Sequence, residues 1–177
     1  MDVKRVSRLV SMIFDEMRSA TDVDRDLPIR WSVMHMYSST QLAKIVALRR
    51  GMDMELAAIA AALHDIAVIT TKKSEKHAEV AGGYVIDVIR RYNNGPWTNL
   101  PKITQEEEDI IINAIIQHSD KETYTDDAFV ELLKDIDSFD RYLHGIKSEG
   151  AYLERCNRVM KELGIVTCFE YKYNIVK

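Results

Sequence analysis

A histidine followed directly by an aspartate, His64-Asp65, closes the most apolar stretch of this chain, residues 56–63. Two ionisable side chains thus leave a segment with little polar surface, at the point where the last backbone carbonyls of a helix lack partners. Burying an unpaired carboxylate is very costly, and a divalent cation is one effective way to offset that cost. Taken alone, the pair has an ordinary alternative. Asp65 pairs with a surface Lys or Arg, and His64 caps the helix C-terminus, where positive charge meets the helix dipole.

The pair does not stand alone. His35 falls in helical register with Trp31, Leu42, Ile45 and Val46, on or beside the face that turns inward. His118 follows Ile111, Ala114 and Ile115 at the same spacing, and His77 stands with Val80, Ala81 and Tyr84. Four of the five histidines therefore lie on or at the edge of core-facing stripes, each from a different segment, and are expected to converge. Asp137 borders the stripe of Phe129, Leu132, Leu133 and Ile136 and completes the set. Its neighbours Asp135 and Asp140 are expected to be solvated or to pair with Arg141, and His144 to be an exposed helix cap.

The elements that must position these residues all carry helical periodicity. Helices are predicted over 3–18, from about 31 to 49, stopped by Gly51, and over 54–64 behind an Asp53 cap. A fourth follows Ser74 to about 91 and ends in Asn93-Asn94-Gly95-Pro96. Thr104-Gln105-Glu106-Glu107 matches a capping box and opens a helix to about 118. Asp126 or Asp127 starts another to about 143, and a last one covers 149–163. The reading is an all-α bundle of six or seven helices in one domain, 1–177, with the tail after Gly164 unassigned.

Composition narrows the function. A net charge of -4 lacks the basic footprint of a protein that holds a nucleic-acid backbone, so polymeric nucleic acid is not an expected partner. The apolar windows 56–63 and 110–116 fall short of the roughly 20 residues of a membrane span, so no membrane role is expected. Two cysteines and no apolar leader point to the cytoplasm. Oligomeric state is left open, a homo-oligomer included.

In order and character, His35, then Ala62-Leu63-His64-Asp65-Ile66, then Asp137 within Lys-Asp-Ile-Asp-Ser-Phe-Asp, resembles the HD superfamily of metal-dependent phosphohydrolases over about residues 31–145. The resemblance implies a helical bundle in which His35, His64, Asp65 and Asp137 bind one divalent metal. It also likens His77 and His118 to the extra histidines of branches that hold a second metal, with Asp65 as bridging and catalytic ligand. Where many members place a glycine after the pair, this chain has Ile66-Ala67.

Imidazole and carboxylate ligands together suit Mn, Fe, Co, Ni or Zn better than Mg. The implied reaction is hydrolysis of a phosphoester or phosphoanhydride in a nucleotide or other small phosphorylated molecule. Lys72, Lys73 and Lys121, in loops beside the implied ligands, are candidates to hold its phosphate, as is Arg141. Two other functions fit the same ligand set: a di-iron oxygenase of the same fold, and a binding or regulatory module without catalysis.

Overall fold

The computed structural model describes residues 3–165, and every regular element within them is a helix. In chain order these are α1 (Lys4–Arg18), α2 (Ile29–Arg50), α3 (Met54–Leu63), α4 (Ile66–Thr71), α5 (His77–Asn93), α6 (Gln105–Gln117), α7 (Ala128–Leu143) and α8 (Gly150–Leu163). Seven match the predicted helices, and the addition is the short α4. No residue between Asp65 and Thr71 has a positive φ, so Ile66-Ala67 continue as helix without needing glycine. The left-handed residue comes later, at Lys72, which closes α4 with φ 67°.

Three of the start signals act where the sequence places them. The Asp53 carboxylate accepts from the Leu56 N–H at 2.8 Å, and Thr104 with Glu107 forms the full capping box. Of the two candidate aspartates, Asp127 caps α7, accepting from the Phe129 and Val130 amides. Caps of this kind contribute about 1 kcal/mol each. α5 begins two residues later than a Ser74 cap suggests. The Ser74 amide and hydroxyl both bind the Asp26 carboxylate, at 2.9 and 3.2 Å, which holds that turn out of the helix.

Every residue of α3 from Leu56 to Leu63 is buried, and the helix packs against α1, α2, α6 and α7. Its alanines let neighbouring helices approach closely, while Ile59 and Leu63 contribute about 1.5–3 kcal/mol each through burial. Length and composition alone would let Met54–Thr71 cross a bilayer, yet 72% of it is buried inside the bundle. The inward face of α2 is Met36, Ser39, Thr40, Ala43, Val46 and Ala47. Ile45, expected on that face, is 51% exposed, because two positions beyond Ala43 turns it about 200° away.

The apolar core runs continuously from Val6 in α1 to Met160 in α8. Cys168 and nearly all of the tail after Gly164 lie outside the described residues.

Candidate metal centre

α3 ends at His64 because Asp65 leaves helical geometry (φ −99°, ψ 16°), and this break delivers both side chains to one end of the central helix. His35 arrives from the second turn of α2, His77 is the first residue of α5, His118 caps α6, and Asp137 lies midway along α7. Five elements thus converge on one point.

The donor atoms form two groups. In the first, His35 Nε2 lies 3.0 Å from His64 Nε2, 3.1 Å from Asp137 Oδ1 and 3.6 Å from Asp65 Oδ2. In the second, His77 Nε2 lies 3.0 Å from His118 Nε2 and 3.0 Å from Asp65 Oδ1. Asp65 joins the two groups, turning one carboxylate oxygen to each.

The other ring nitrogens decide what these contacts mean. His64, His77 and His118 each place Nδ1 within 2.6–2.7 Å of a backbone carbonyl, of Ala61, Ser74 and Ile115 respectively. A carbonyl only accepts, so Nδ1 carries the hydrogen and donates it. His35 Nδ1 donates likewise to Asp140 Oδ2 at 2.6 Å. In the neutral rings all four Nε2 atoms then present lone pairs, and pairs of them meet at 3.0 Å, where they repel unless a cation or proton lies between. The Ser119 hydroxyl, 3.3 Å from His77 Nε2 and 3.4 Å from His118 Nε2, has one proton to give.

The donor set therefore fits a cation. An ion about 2.1 Å from each donor places neighbouring donors about 3.0–3.4 Å apart, close to the separations observed. Histidine ligands also characteristically donate their remote N–H to a carbonyl or carboxylate, as all four do here. Among the described residues the buried ammonium of Lys121 pairs with Asp137, while the ion partners of Asp65 and Asp140 are imidazoles, so with neutral imidazoles the cluster holds surplus negative charge.

That charge shows in the titration of the groups. Burial opposes a charge on His35, but hydrogen bonds to Asp137 and Asp140 outweigh it and raise the ring to about 10. Burial, with His64 and Lys121 nearby, pushes His118 down to about 3. Burial works against the carboxylates too. Even so, surrounding imidazoles hold Asp65 below its ordinary range, and Lys121 with His35 does the same for Asp137.

Outside the donors, the structure departs from several expectations. Asp135 and Asp140 are not solvated but fully buried: Asp135 binds Arg50 and Arg155, and Asp140 orients His35. His144 is only partly exposed and shares a 3.0 Å contact with Ser38 Oγ. Lys72 turns away, its ammonium donating to the Val23 carbonyl, and Lys73 pairs with Asp26. Lys121 is buried, donating to Asp137 Oδ2 at 2.6 Å and to the His118 carbonyl.

A cleft of about 360 Å³ opens on the centre, lined by Asp65, Asp137 and His77 and by Lys76, Arg141 and Tyr152 among others. Among the described residues the Arg141 guanidinium makes no hydrogen bond or ion pair, although its backbone carbonyl accepts from the Ile146 amide. The role of Asp140 went unread in the sequence, although its position three residues after Asp137 put it on the same face of α7.

Helices from five parts of the chain, gathered around a histidine-aspartate cluster, define an all-helical protein whose donor set fits a metal ion. The chain belongs to the HD domain family, whose model matches residues 33–142. Most members of that family are metal-dependent hydrolases, and its domains bind divalent metals. No curated protein and no solved structure matches the chain.

Proposed function

We propose that this protein is a metal-dependent phosphohydrolase that cleaves a phosphoester or phosphoanhydride of a nucleotide or small phosphorylated metabolite. The observation that carries the reading is the pair of donor groups joined by Asp65 at the floor of an open cleft. His35, His64, Asp65 Oδ2 and Asp137 Oδ1 would hold one ion, and Asp65 Oδ1, His77 and His118 a second. Ions bound there supply a Lewis acid to a phosphoryl oxygen and lower the pKa of a coordinated water. Mixed imidazole and carboxylate donors favour a first-row transition metal over Mg.

The remaining residues position and neutralise. Asp140 holds the His35 ring in one tautomer and orientation. Lys121 occupies Asp137 Oδ2, which leaves Oδ1 for the histidine side, so it acts through Asp137 rather than on substrate. Arg141 and Lys76 line the cleft and bring the fixed positive charge that phosphate oxygens require.

The test begins with elemental analysis of protein purified without chelator or metal-affinity resin, beside His64→Ala, Asp65→Ala and His118→Ala. One or two transition-metal ions per chain, lost in the first two variants, are expected, with phosphate released from a panel of phosphoesters. Loss of only one of two ions in His118→Ala identifies the second position. Oxygen uptake with iron and no phosphate release would overturn the hydrolase reading in favour of the oxygenase. No metal after reconstitution would favour the binding module.

A further inference from the structure

Beside the metal cleft lies a second cavity, of about 610 Å³, whose walls differ in kind. Its lining is mostly carbon, from Leu27, Pro28, Trp31, Met34 and Ile146, with two arginines and His144 completing it. Its volume falls within the range of about 300–1,000 Å³ typical of small-molecule sites. The two cavities share a border, since Leu27 and Arg141 line both.

We propose that the cavity walled by Trp31, Met34 and Ile146 takes the flat, largely apolar ring system of a phosphate ester, whose phosphate reaches past Arg141 to the metal centre. The inference rests on the phosphohydrolase reading and narrows its substrate to ring-bearing phosphomonoesters, nucleoside monophosphates among them.

Three features carry it. The metal cleft is the smaller of the two and carries Asp65, Glu79, Asp120 and Asp137 in its lining, which suits a phosphate held by cations. The neighbouring cavity offers the complementary surface, with an indole wall on which a flat ring can pack. Arg141 stands between them with its guanidinium free of protein partners among the described residues, and a guanidinium is suited to holding phosphate oxygens bidentately. A substrate with a small polar alcohol would leave the apolar cavity unused.

The test measures binding rather than turnover. Three non-hydrolysable probes are titrated calorimetrically into metal-loaded protein: methylphosphonate, benzylphosphonate and the methylene phosphonate analogue of adenosine monophosphate. A ring-bearing probe is expected to bind about tenfold or more tightly than methylphosphonate. The double variant Met34→Gln/Ile146→Asn, which makes the lining polar without changing charge, should erase most of that ratio. Trp31 stacks on His35, so its emission, isolated in a Trp97→Phe background, should respond more strongly to the ring probes than to methylphosphonate, and wild-type walls report occupancy even if the double variant fails to fold. Tight benzylphosphonate binding assigns the site to rings in general, and a gain confined to the adenosine analogue assigns it to nucleobases.

Equal affinity for all three probes overturns the inference, even if the protein hydrolyses phosphoesters. Ring-dependent binding without any phosphate release keeps the cavity as a ring site and removes the hydrolase, and with it the substrate assignment. Binding of none of the three overturns both.

Discussion

Asp140→Asn isolates the one carboxylate that shapes the centre without belonging to the donor set. The substitution keeps the side-chain shape but replaces a charged acceptor, 2.6 Å from His35 Nδ1, with a neutral amide. Both partners are buried to 1% exposure, so water cannot substitute for the lost charge. Charge-assisted hydrogen bonds are roughly twice as strong as neutral ones, and removing such a partner from a metal-binding histidine costs about 10–100-fold in affinity, or about 1.4–2.8 kcal/mol. The short distance and full burial place this case in the upper half of that range. Chelator-stripped protein titrated with zinc against a chromophoric competitor reads the effect directly. In a His118→Ala background, which leaves only the His35-His64-Asp137 position, Asp140→Asn should weaken the remaining ion by the full factor. In an otherwise native chain, the ion on His77 and His118 should move by less than about threefold. A thermal melt of the stripped variant separates this from general destabilisation. Unchanged affinity in the His118→Ala background, or equal weakening of both ions, would refute the role given to Asp140.

Arg155→Met should destabilise the protein by about 3–5 kcal/mol in urea unfolding, because it leaves Glu131 and fully buried Asp135 facing each other without the guanidinium that binds both. A loss under about 1 kcal/mol would show that Arg50 and Arg158 suffice. Stripping metal should lower the melting temperature, since ions that bind only the folded chain at 100 times their Kd add about 2.7 kcal/mol; in Asp65→Ala the chelator should have little further effect. Burial raises Glu107, but hydrogen bonds from Arg5 and the Thr104 amide more than reverse this and set it below its ordinary 4.5. A carboxylate lowered on folding contributes stability above its unfolded pKa and loses it as pH falls through the folded value. Glu107→Gln, which retains the capping box, should therefore flatten the acid limb of stability below pH 4.5, as read by unfolding at a series of pH values.

Much of the architecture was legible because it depends on local chemistry. Asp53, the Thr104-Glu107 box and Gly51 set helix ends through backbone groups within four residues of themselves, and each acts as the sequence implies. Where a long-range partner intervened, the reading slipped. Ser74 is a good helix cap in isolation, but Asp26, 48 residues away, takes both its amide and its hydroxyl. The short α4 was missed for a different reason: six residues are too few to establish a period.

The same distinction explains which parts of the centre could be read. Histidine and aspartate are short, so the helix face that carries them fixes the position of their polar atoms, and the stripes of His35, His77, His118 and Asp137 meet at the helix end that carries His64 and Asp65. Lysine ends four flexible carbons away, and its destination depends on neighbours that local spacing does not specify. Lys72 and Lys121 both lie beside donors in the sequence, yet one ammonium reaches out to a carbonyl of the 19–28 loop and the other turns inward to Asp137. Asp135 and Asp140 misled by the opposite route. Their expected place is in solvent or beside Arg141, but a carboxylate is costly to bury only when it lacks a partner. Their partners, Arg50 and Arg155 for the one and His35 for the other, come from helices distant in sequence. Three buried aspartates on one helix are thus evidence of buried cationic groups elsewhere, and at Asp137 and Asp140 those groups converge on the site where a metal ion would supply the remainder.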